Sequence, residues 1–185
     1  MKLRYDKSDL NVIQSRQDIQ KRVSELGSEI SRHYQPLLAE GEMVLVVGVL
    51  NGAFIFMADL IRAMTVPLEV DFIRLSSYRD GLTSSSKVVM LKDLEADVKG
   101  RHVLVVEDVA DCGLTLSWLI EHLKTREPAS VKLAVAVDKK VRREVGLALD
   151  FVGFRLDDVY LIGYGLDAAR RYREFPEICS LPADA

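Results

Sequence analysis

His102-Val103-Leu104-Val105-Val106-Glu107-Asp108-Val109-Ala110-Asp111-Cys112-Gly113-Leu114-Thr115-Leu116 is the stretch on which the fold of this chain turns. Four apolar, mostly β-branched residues lead into two adjacent carboxylates. A short loop with a third carboxylate, a Gly and a Thr follows, and then Leu116, Leu119, Ile120 and Leu123 recur at helical spacing. The pattern predicts a buried strand, a ligand loop and a helix. A strand that is apolar on both faces belongs to a sheet covered on both sides, and such sheets bind ligands beyond the carboxyl ends of their strands. Glu107, Asp108 and Asp111 fall at that edge.

Downstream, the helix pattern runs to about Arg126, and Val131-Lys132-Leu133-Ala134-Val135-Ala136-Val137 reads as another buried strand with Asp138-Lys139-Lys140 at its carboxyl end. A charged triplet in that place is ordinarily a solvated turn. Upstream, Met43 to Val49 predicts a buried strand, Leu50-Asn51-Gly52-Ala53 a tight connection, and Phe54 to about Met64 an apolar helix, the first half of a βαβ unit. A single Gly there suits either a plain turn or an anion held by amides at the helix start. Leu68 to Leu75 alternates as a strand. The polar segment Ser76 to Lys87 precedes a renewed apolar pattern at Val88-Val89-Met90-Leu91, and it suits either a hairpin loop or a lid over a site. From Arg16 to about Glu40, Ile19, Val23, Leu26, Ile30, Tyr34 and Leu37 mark an amphipathic helix. Ser15 and Asp18 form its cap, Gly27 interrupts it, and Pro36 is placed to end or kink it. Asp150-Phe151-Val152-Gly153-Phe154 and Tyr160-Leu161-Ile162-Gly163-Tyr164 read as short strands, followed by the basic run Arg170, Arg171, Arg173.

The 185 residues, 49% of them apolar, show no shift of composition, which predicts one α/β domain over residues 1–185 with an appended flap or hood. Twenty-five basic residues against 28 acidic ones give a net charge of −3, with no basic block, so a nucleic-acid-binding surface is not expected. The longest apolar run, Met43 to Leu50, is far too short for a bilayer, and Met1-Lys2-Leu3-Arg4-Tyr5-Asp6 lacks a signal-peptide core. The expectation is a soluble, cytoplasmic protein with no membrane partner. Cys112 and Cys179 stand alone and are expected reduced.

The loop Asp111 to Thr115 holds the parts a terminal phosphate requires. Gly113 permits close backbone approach, successive amides form an anion nest, the following helix adds its positive end, and Thr115 supplies a hydroxyl. Neither a P-loop nor a dinucleotide fingerprint is present, there is no G-x-S-x-G, and His33, His102 and His122 have no metal-type partners nearby. Glu107 and Asp108, fixed at a strand end, can accept hydrogen bonds from vicinal hydroxyls or hold Mg²⁺ directly or through water. An isolated acid pair is usually a solvated strand terminus. Here three carboxylates crowd a buried strand, which costs repulsion and desolvation unless a cation or donors compensate. Phosphate on one side and diol acceptors on the other describe a ribose phosphate.

Val105-Val106-Glu107-Asp108-Val109-Ala110-Asp111-Cys112-Gly113-Leu114-Thr115 resembles the phosphoribosyl pyrophosphate (PRPP) motif of the type I phosphoribosyltransferases. Gly48-Val49-Leu50-Asn51-Gly52-Ala53-Phe54, Ser77-Tyr78, Val137-Asp138-Lys139, Asp150-Phe151-Val152-Gly153-Phe154 and Gly163-Tyr164-Gly165-Leu166-Asp167 resemble, in order, the bacterial-like hypoxanthine-guanine branch of that family. The resemblance implies the type I fold, a mostly parallel sheet flanked by helices, with a hood from residues 1–15 and 150–185 and a flexible lid over residues 77–87 that includes Ser77 and Tyr78. It implies Mg²⁺-dependent transfer of ribose 5-phosphate from PRPP to N9 of hypoxanthine or guanine, by a homodimer or homotetramer. Asp111 would be the general base or acid near N7. The backbone from Asp111 through Cys112, Gly113 and Leu114 to Thr115 would hold the 5′-phosphate. Glu107 and Asp108 would bind the ribose hydroxyls and the metal, and Asp167 would serve a second Mg²⁺ and the 2-position of guanine. Lys139 would donate to the 6-oxo group, Tyr160 would stack on the base, and Leu161 would contact it through the main chain. Asn51 and Gly52 would lie against pyrophosphate, which Arg173 would neutralise.

Two residues depart from the family pattern. Cys112 stands where Thr is usual, so a thiol, the weaker donor, replaces a hydroxyl, and weaker PRPP binding is expected. Asn51 stands where Lys is common, in a loop whose peptide is often cis in the family, so a positive charge near pyrophosphate is lost. Two other functions share the motif: a nucleotide-sensing regulator that binds RNA or DNA, which the charge of −3 disfavours, and a transferase for another base, such as xanthine or a pyrimidine.

Overall fold

The structure is a computed structural model that describes residues 10–79, 86–139, 141 and 143–181. In chain order its elements are β1 (Asn11–Gln14), α1 (Arg16–Tyr34), β2 (Val44–Leu50), α2 (Phe54–Ala63), β3 (Leu68–Arg79), β4 (Ser86–Lys92), β5 (His102–Ala110), α3 (Leu114–Lys124), β6 (Ser130–Asp138), β7 (Phe151–Arg155), β8 (Leu161–Ile162) and β9 (Ile178–Ser180). Six strands form the main sheet in the order β4-β3-β2-β5-β6-β7. All its pairings are parallel except β3 with β4.

Alternation along the central strands sorts their side chains into two layers. Val44 and Val46 of β2 and Leu104 and Val106 of β5 pack with Ile19, Val23, Leu26, Phe56, Met57 and Leu60 from α1 and α2. Leu45, Val47, Val103 and Val105 pack on the other face with Leu116, Leu119 and Leu123 of α3. Each such side chain contributes about 1.5–3 kcal/mol when taken from water. With both faces covered, the open edge for ligand is the carboxyl end of the strands, where β5 delivers its acids.

Helix α1 starts at the expected cap, Ser15 Oγ accepting from Asp18 N at 3.2 Å. It stops at Tyr34, earlier than Glu40: Gln35 is still helical as the C-cap, its amide on the Ser31 carbonyl, and Pro36 next to it has no N–H to carry the ladder on. Gly27, an interruption by sequence, lies where α1 meets α2: a Cβ there would stand 2.6 Å from the Ala63 Cβ. Strands β3 and β4 extend past Leu75, pairing Ser77 with Val88 and Tyr78 with Lys87. Much of the expected connection is therefore ladder. Residues 80–85 of the lid assigned to 77–87, with the side chains of Ser77 and Tyr78, lie outside the described residues, as do residues 1–9 of the expected hood.

Strands β1, β9 and β8 form a second, antiparallel sheet beside the main one. The hood boundary at residue 150 needs correction, since Phe151–Arg155 pairs with β6 as the parallel edge strand of the main sheet. The predicted strand Tyr160 to Tyr164 shortens to Leu161–Ile162. Gly163, Tyr164 and Gly165 all have positive φ (88°, 51° and 96°), which an extended ladder does not accommodate. Among the described residues no helix is long and apolar enough to cross a membrane.

Candidate active site

Strand β5 carries Glu107 and Asp108 toward its carboxyl end, and the chain then turns through Asp111, Cys112 and Gly113 into α3. Gly113 is the helix N-cap with φ 85°, and it brings no side-chain cap to the first-turn amides. Such amides, with the positive helix end behind them, suit an anion. A cavity of about 250 Å³ lies over this turn. Glu107, Asp108, Asp111, Cys112, Gly113 and Thr115 line it together with Val49, Leu50 and Leu75. The loop residues named by sequence thus share one cavity, except Leu114, whose side chain is not in its lining.

The electrostatics of the two adjacent acids are unfavourable by themselves. Desolvation, and then the Asp108 charge beside it, push the Glu107 carboxyl well above the usual carboxylate range. Asp108 Oδ1 accepts from the Val109 amide at 2.8 Å. Two neighbouring carboxylates with hard oxygen donors fit Mg²⁺, which is usually bound through one or two carboxylates with substrate phosphate and water completing its shell.

The loop after β2 approaches this acid pair directly. Its Leu50–Asn51 peptide is cis. A Cβ on Gly52 would overlap the Asp108 carboxylate, so only Gly lets the two loops come together here. The Gly52 carbonyl in turn lies against Gly165, where a Cβ would strike it. Arg173 donates to the Gly165 carbonyl and pairs with Asp167 at 2.6 Å. Asp167 Oδ2 also accepts the Arg170 amide at 2.6 Å. A chain of contacts therefore runs from Asp108 through Gly52 and Gly165 to Arg173 and Asp167.

Lys139 follows β6 and is buried, 8% exposed, with its amide on the Ala110 carbonyl at 3.0 Å and its ammonium on the Val159 carbonyl at 2.6 Å. It is not part of a solvated turn. Leu161 is buried, whereas Tyr160 is 58% exposed, and its hydroxyl donates to the Asp167 carbonyl at 3.1 Å. Lys139, Tyr160, Leu161, Asp167, Asn51, Gly52 and Arg173 stand outside the lining of the 250 Å³ cavity. Sequence reasoning passed over two neighbours. Tyr164, its hydroxyl held by Asp59 Oδ2 at 2.9 Å and its ionisation pushed up by burial and then by Asp59, ties the loop after β8 to α2. Arg143 packs behind Gly113 and pairs with Asp138 at 2.5 Å. Neither belongs to a periodic pattern, and the only sequence signal for Arg143 is an Arg a few residues beyond a buried Asp.

The geometry places an anion-binding turn, an acid pair and a buried Lys at one sheet edge, and the sequence model of the phosphoribosyl transferase domain matches residues 10–169. The chain belongs to the phosphoribosyltransferase family. Among curated phosphoribosyltransferases it is similar to hypoxanthine phosphoribosyltransferase of Haemophilus influenzae, 42% identical over 90% of this chain and 92% of that protein. It is 44% identical to hypoxanthine-guanine phosphoribosyltransferase of Bacillus subtilis over 90% of each. Among solved phosphoribosyltransferases, a hypoxanthine phosphoribosyl transferase of Trypanosoma cruzi superposes with a TM-score of 0.91 at 36% identity, covering 98% of this chain and 96% of that one.

Proposed function

We propose that this phosphoribosyltransferase salvages 6-oxopurines, transferring ribose 5-phosphate from PRPP to N9 of hypoxanthine or guanine with release of pyrophosphate. The observation that carries the reading is the buried Lys139, whose amide is held by the Ala110 carbonyl next to the Asp111 turn and whose ammonium lies on the Val159 carbonyl. A 6-oxo group accepts its hydrogen bond, whereas the 6-amino group of adenine is itself a donor. The family match and the named relatives support the same chemistry.

In this reading the amides from Asp111 to Thr115 hold the 5′-phosphate and Glu107 and Asp108 orient the ribose hydroxyls. Asp111 takes or gives the proton at N7 as the bond to N9 forms. Glu107 and Asp108 would hold one Mg²⁺ and Asp167 a second. The chemistry Mg²⁺ would supply there is positive charge against departing pyrophosphate. Asp167 must then share or exchange its contact with Arg173, which frees that guanidinium for the same pyrophosphate. Leu161 and Tyr160 flank the purine, and the segment around residues 77–87 excludes water, which otherwise competes as nucleophile. A homodimer or homotetramer and a cytoplasmic setting belong to the same reading.

The test is steady-state nucleotide formation from PRPP and Mg²⁺ with hypoxanthine, guanine, xanthine, adenine and uracil offered separately, beside Asp111→Asn. Turnover of hypoxanthine or guanine is expected, with loss of about 10²–10⁴ in kcat in the variant, the value of a positioned proton-transfer group. Nucleotide binding without turnover of any base would refute the transferase reading and favour the regulator.

A further inference from the structure

We infer that Arg143 is a positioning residue that ties the 5′-phosphate loop to the strand end carrying Lys139, so that one guanidinium sets both halves of the site. The inference rests on the transferase reading above. Its stem passes through the space a side chain at position 113 would need, since a Cβ on Gly113 would lie 2.9 Å from the Arg143 Cδ. Its guanidinium reaches back to Asp138, the residue before Lys139, at 2.5 Å. The next residue, Glu144, donates its amide to the Cys112 carbonyl at 2.9 Å, fixing the same crossing from the backbone. Asp138 itself passes its carbonyl to the Leu156 amide at 3.1 Å, and its second oxygen lies 3.8 Å from Arg155 Nε.

The pair is largely out of solvent, with side-chain exposures of 14% for Arg143 and 8% for Asp138. Burying such a pair does little for stability compared with apolar residues of the same size. The guanidinium is not even saturated, since its Nε is buried without a hydrogen-bond partner among the described residues. Stability therefore explains this Arg poorly. Geometry explains it better: a cation anchored at Asp138 through one hydrogen bond, with its stem against Gly113, holds the anion turn and the Lys139 backbone in one register. Lys139 stays on the Ala110 carbonyl and Gly113 stays at φ 85° only while the segment between them keeps its place.

The experiment compares wild type, Arg143→Lys, and Arg143→Met combined with Asp138→Asn. The double variant leaves no buried charge unpaired and so guards against simple unfolding, which thermal melting checks. KM for PRPP and KM for hypoxanthine are expected to rise together by about tenfold in the folded double variant, with a smaller change in kcat. Arg143→Lys, which keeps a cation and an aliphatic stem, should recover much of both. Unchanged KM values in the folded double variant would make Arg143 merely structural, and a rise in only one of them would break the proposed link. If wild type itself shows no turnover, the transferase reading falls instead. The same variants are then titrated with inosine monophosphate, followed by the fluorescence of Trp118 on α3, the single Trp of the chain. Unchanged affinity there overturns the inference.

Discussion

Three glycines separate the cost of a left-handed backbone from the cost of crowding the phosphate loop. Gly113 and Gly41 share nearly the same conformation, φ 85° and 83°, but a Cβ at Gly41 would meet nothing within 4 Å. At Gly113 it would stand 2.9 Å from Arg143 Cδ and 3.2 Å from Val145 Cγ2. Gly146 is open and free of positive φ. Gly41→Ala should therefore incur the left-handed penalty alone, a destabilisation of about 1–2 kcal/mol, or roughly 2–8 °C in melting temperature. Gly113→Ala adds overpacking of about 1–3 kcal/mol, for a total of roughly 4–20 °C. Gly146→Ala should change neither. The assay that matters is PRPP kinetics on the folded proteins. Gly113→Ala should raise KM for PRPP by about ten- to a hundredfold as the amides of the turn lose their aim, each amide–phosphate bond being charge-assisted. Gly41→Ala should leave that KM unaltered. If Gly113→Ala melts beside Gly41→Ala and keeps its KM for PRPP, the turn is neither crowded by Arg143 nor held in the conformation described, and the reasoning fails.

Lys139→Met should lower kcat/KM for hypoxanthine by about 10–150-fold, one lost charge-assisted hydrogen bond, without lowering any residual rate with adenine; an equal loss for both bases would show that Lys139 only supports the Val159 carbonyl. Asp71→Asn tests stability against pH. Burial alone would raise the Asp71 carboxyl, but the amides of Ala96, Phe72 and Glu95 and the Lys92 charge hold it below its ordinary value. A lowered folded value means that the stabilisation is present above the unfolded value of about 3.8 and is lost as pH falls through the folded one. The variant should thus be less stable than wild type at pH 7 by about 1.5–3 kcal/mol, with the gap narrowing in chemical denaturation as pH falls below the unfolded value of about 3.8; a gap that does not narrow in acid would refute the assignment.

The central fold was legible because its signals are side-chain patterns. Val103 to Val106 declares a strand covered on both faces, and Leu116, Leu119 and Leu123 declare the helix that covers one of them. The acid loop was legible for the same reason, since carboxylates crowded at a buried strand end require compensation. What sequence misassigned follows from backbone conformation. Residues 150–154 read as the same kind of short strand as residues 160–164, and only pairing with β6 puts Phe151–Arg155 in the main sheet. Tyr160 to Tyr164 has strand composition, yet consecutive positive φ values at Gly163, Tyr164 and Gly165 end the ladder after Ile162. Lys139 lay in a triplet that reads as a solvated turn, and its burial is a property of the neighbouring Val159 carbonyl rather than of its own stretch.

The same division bears on the two departures from the family pattern. Asn51 is exposed, and the shape of its loop comes from main-chain bonds, Ala53 N to Val49 O and Phe54 N to Asn51 O, both at 3.4 Å, and from Gly52 packed on Asp108. Replacing the customary Lys there removes a charge and leaves the geometry standing. Cys112 is held through its carbonyl by the Glu144 amide, a bond indifferent to whether Sγ or a hydroxyl projects into the cavity. On the proposed reading both departures would act on the strength of phosphate and pyrophosphate binding, through one lost charge and one weaker donor, and not on the placing of Asp111 or Lys139. Glycines carry the opposite burden. Gly52, Gly113 and Gly165 sit where a Cβ would strike Asp108, Arg143 and the Gly52 carbonyl respectively, so a methyl group at any of them moves a functional group bodily. At Asn51 and Cys112 a change of side-chain chemistry leaves the backbone in place, whereas at these glycines any side chain displaces a neighbour.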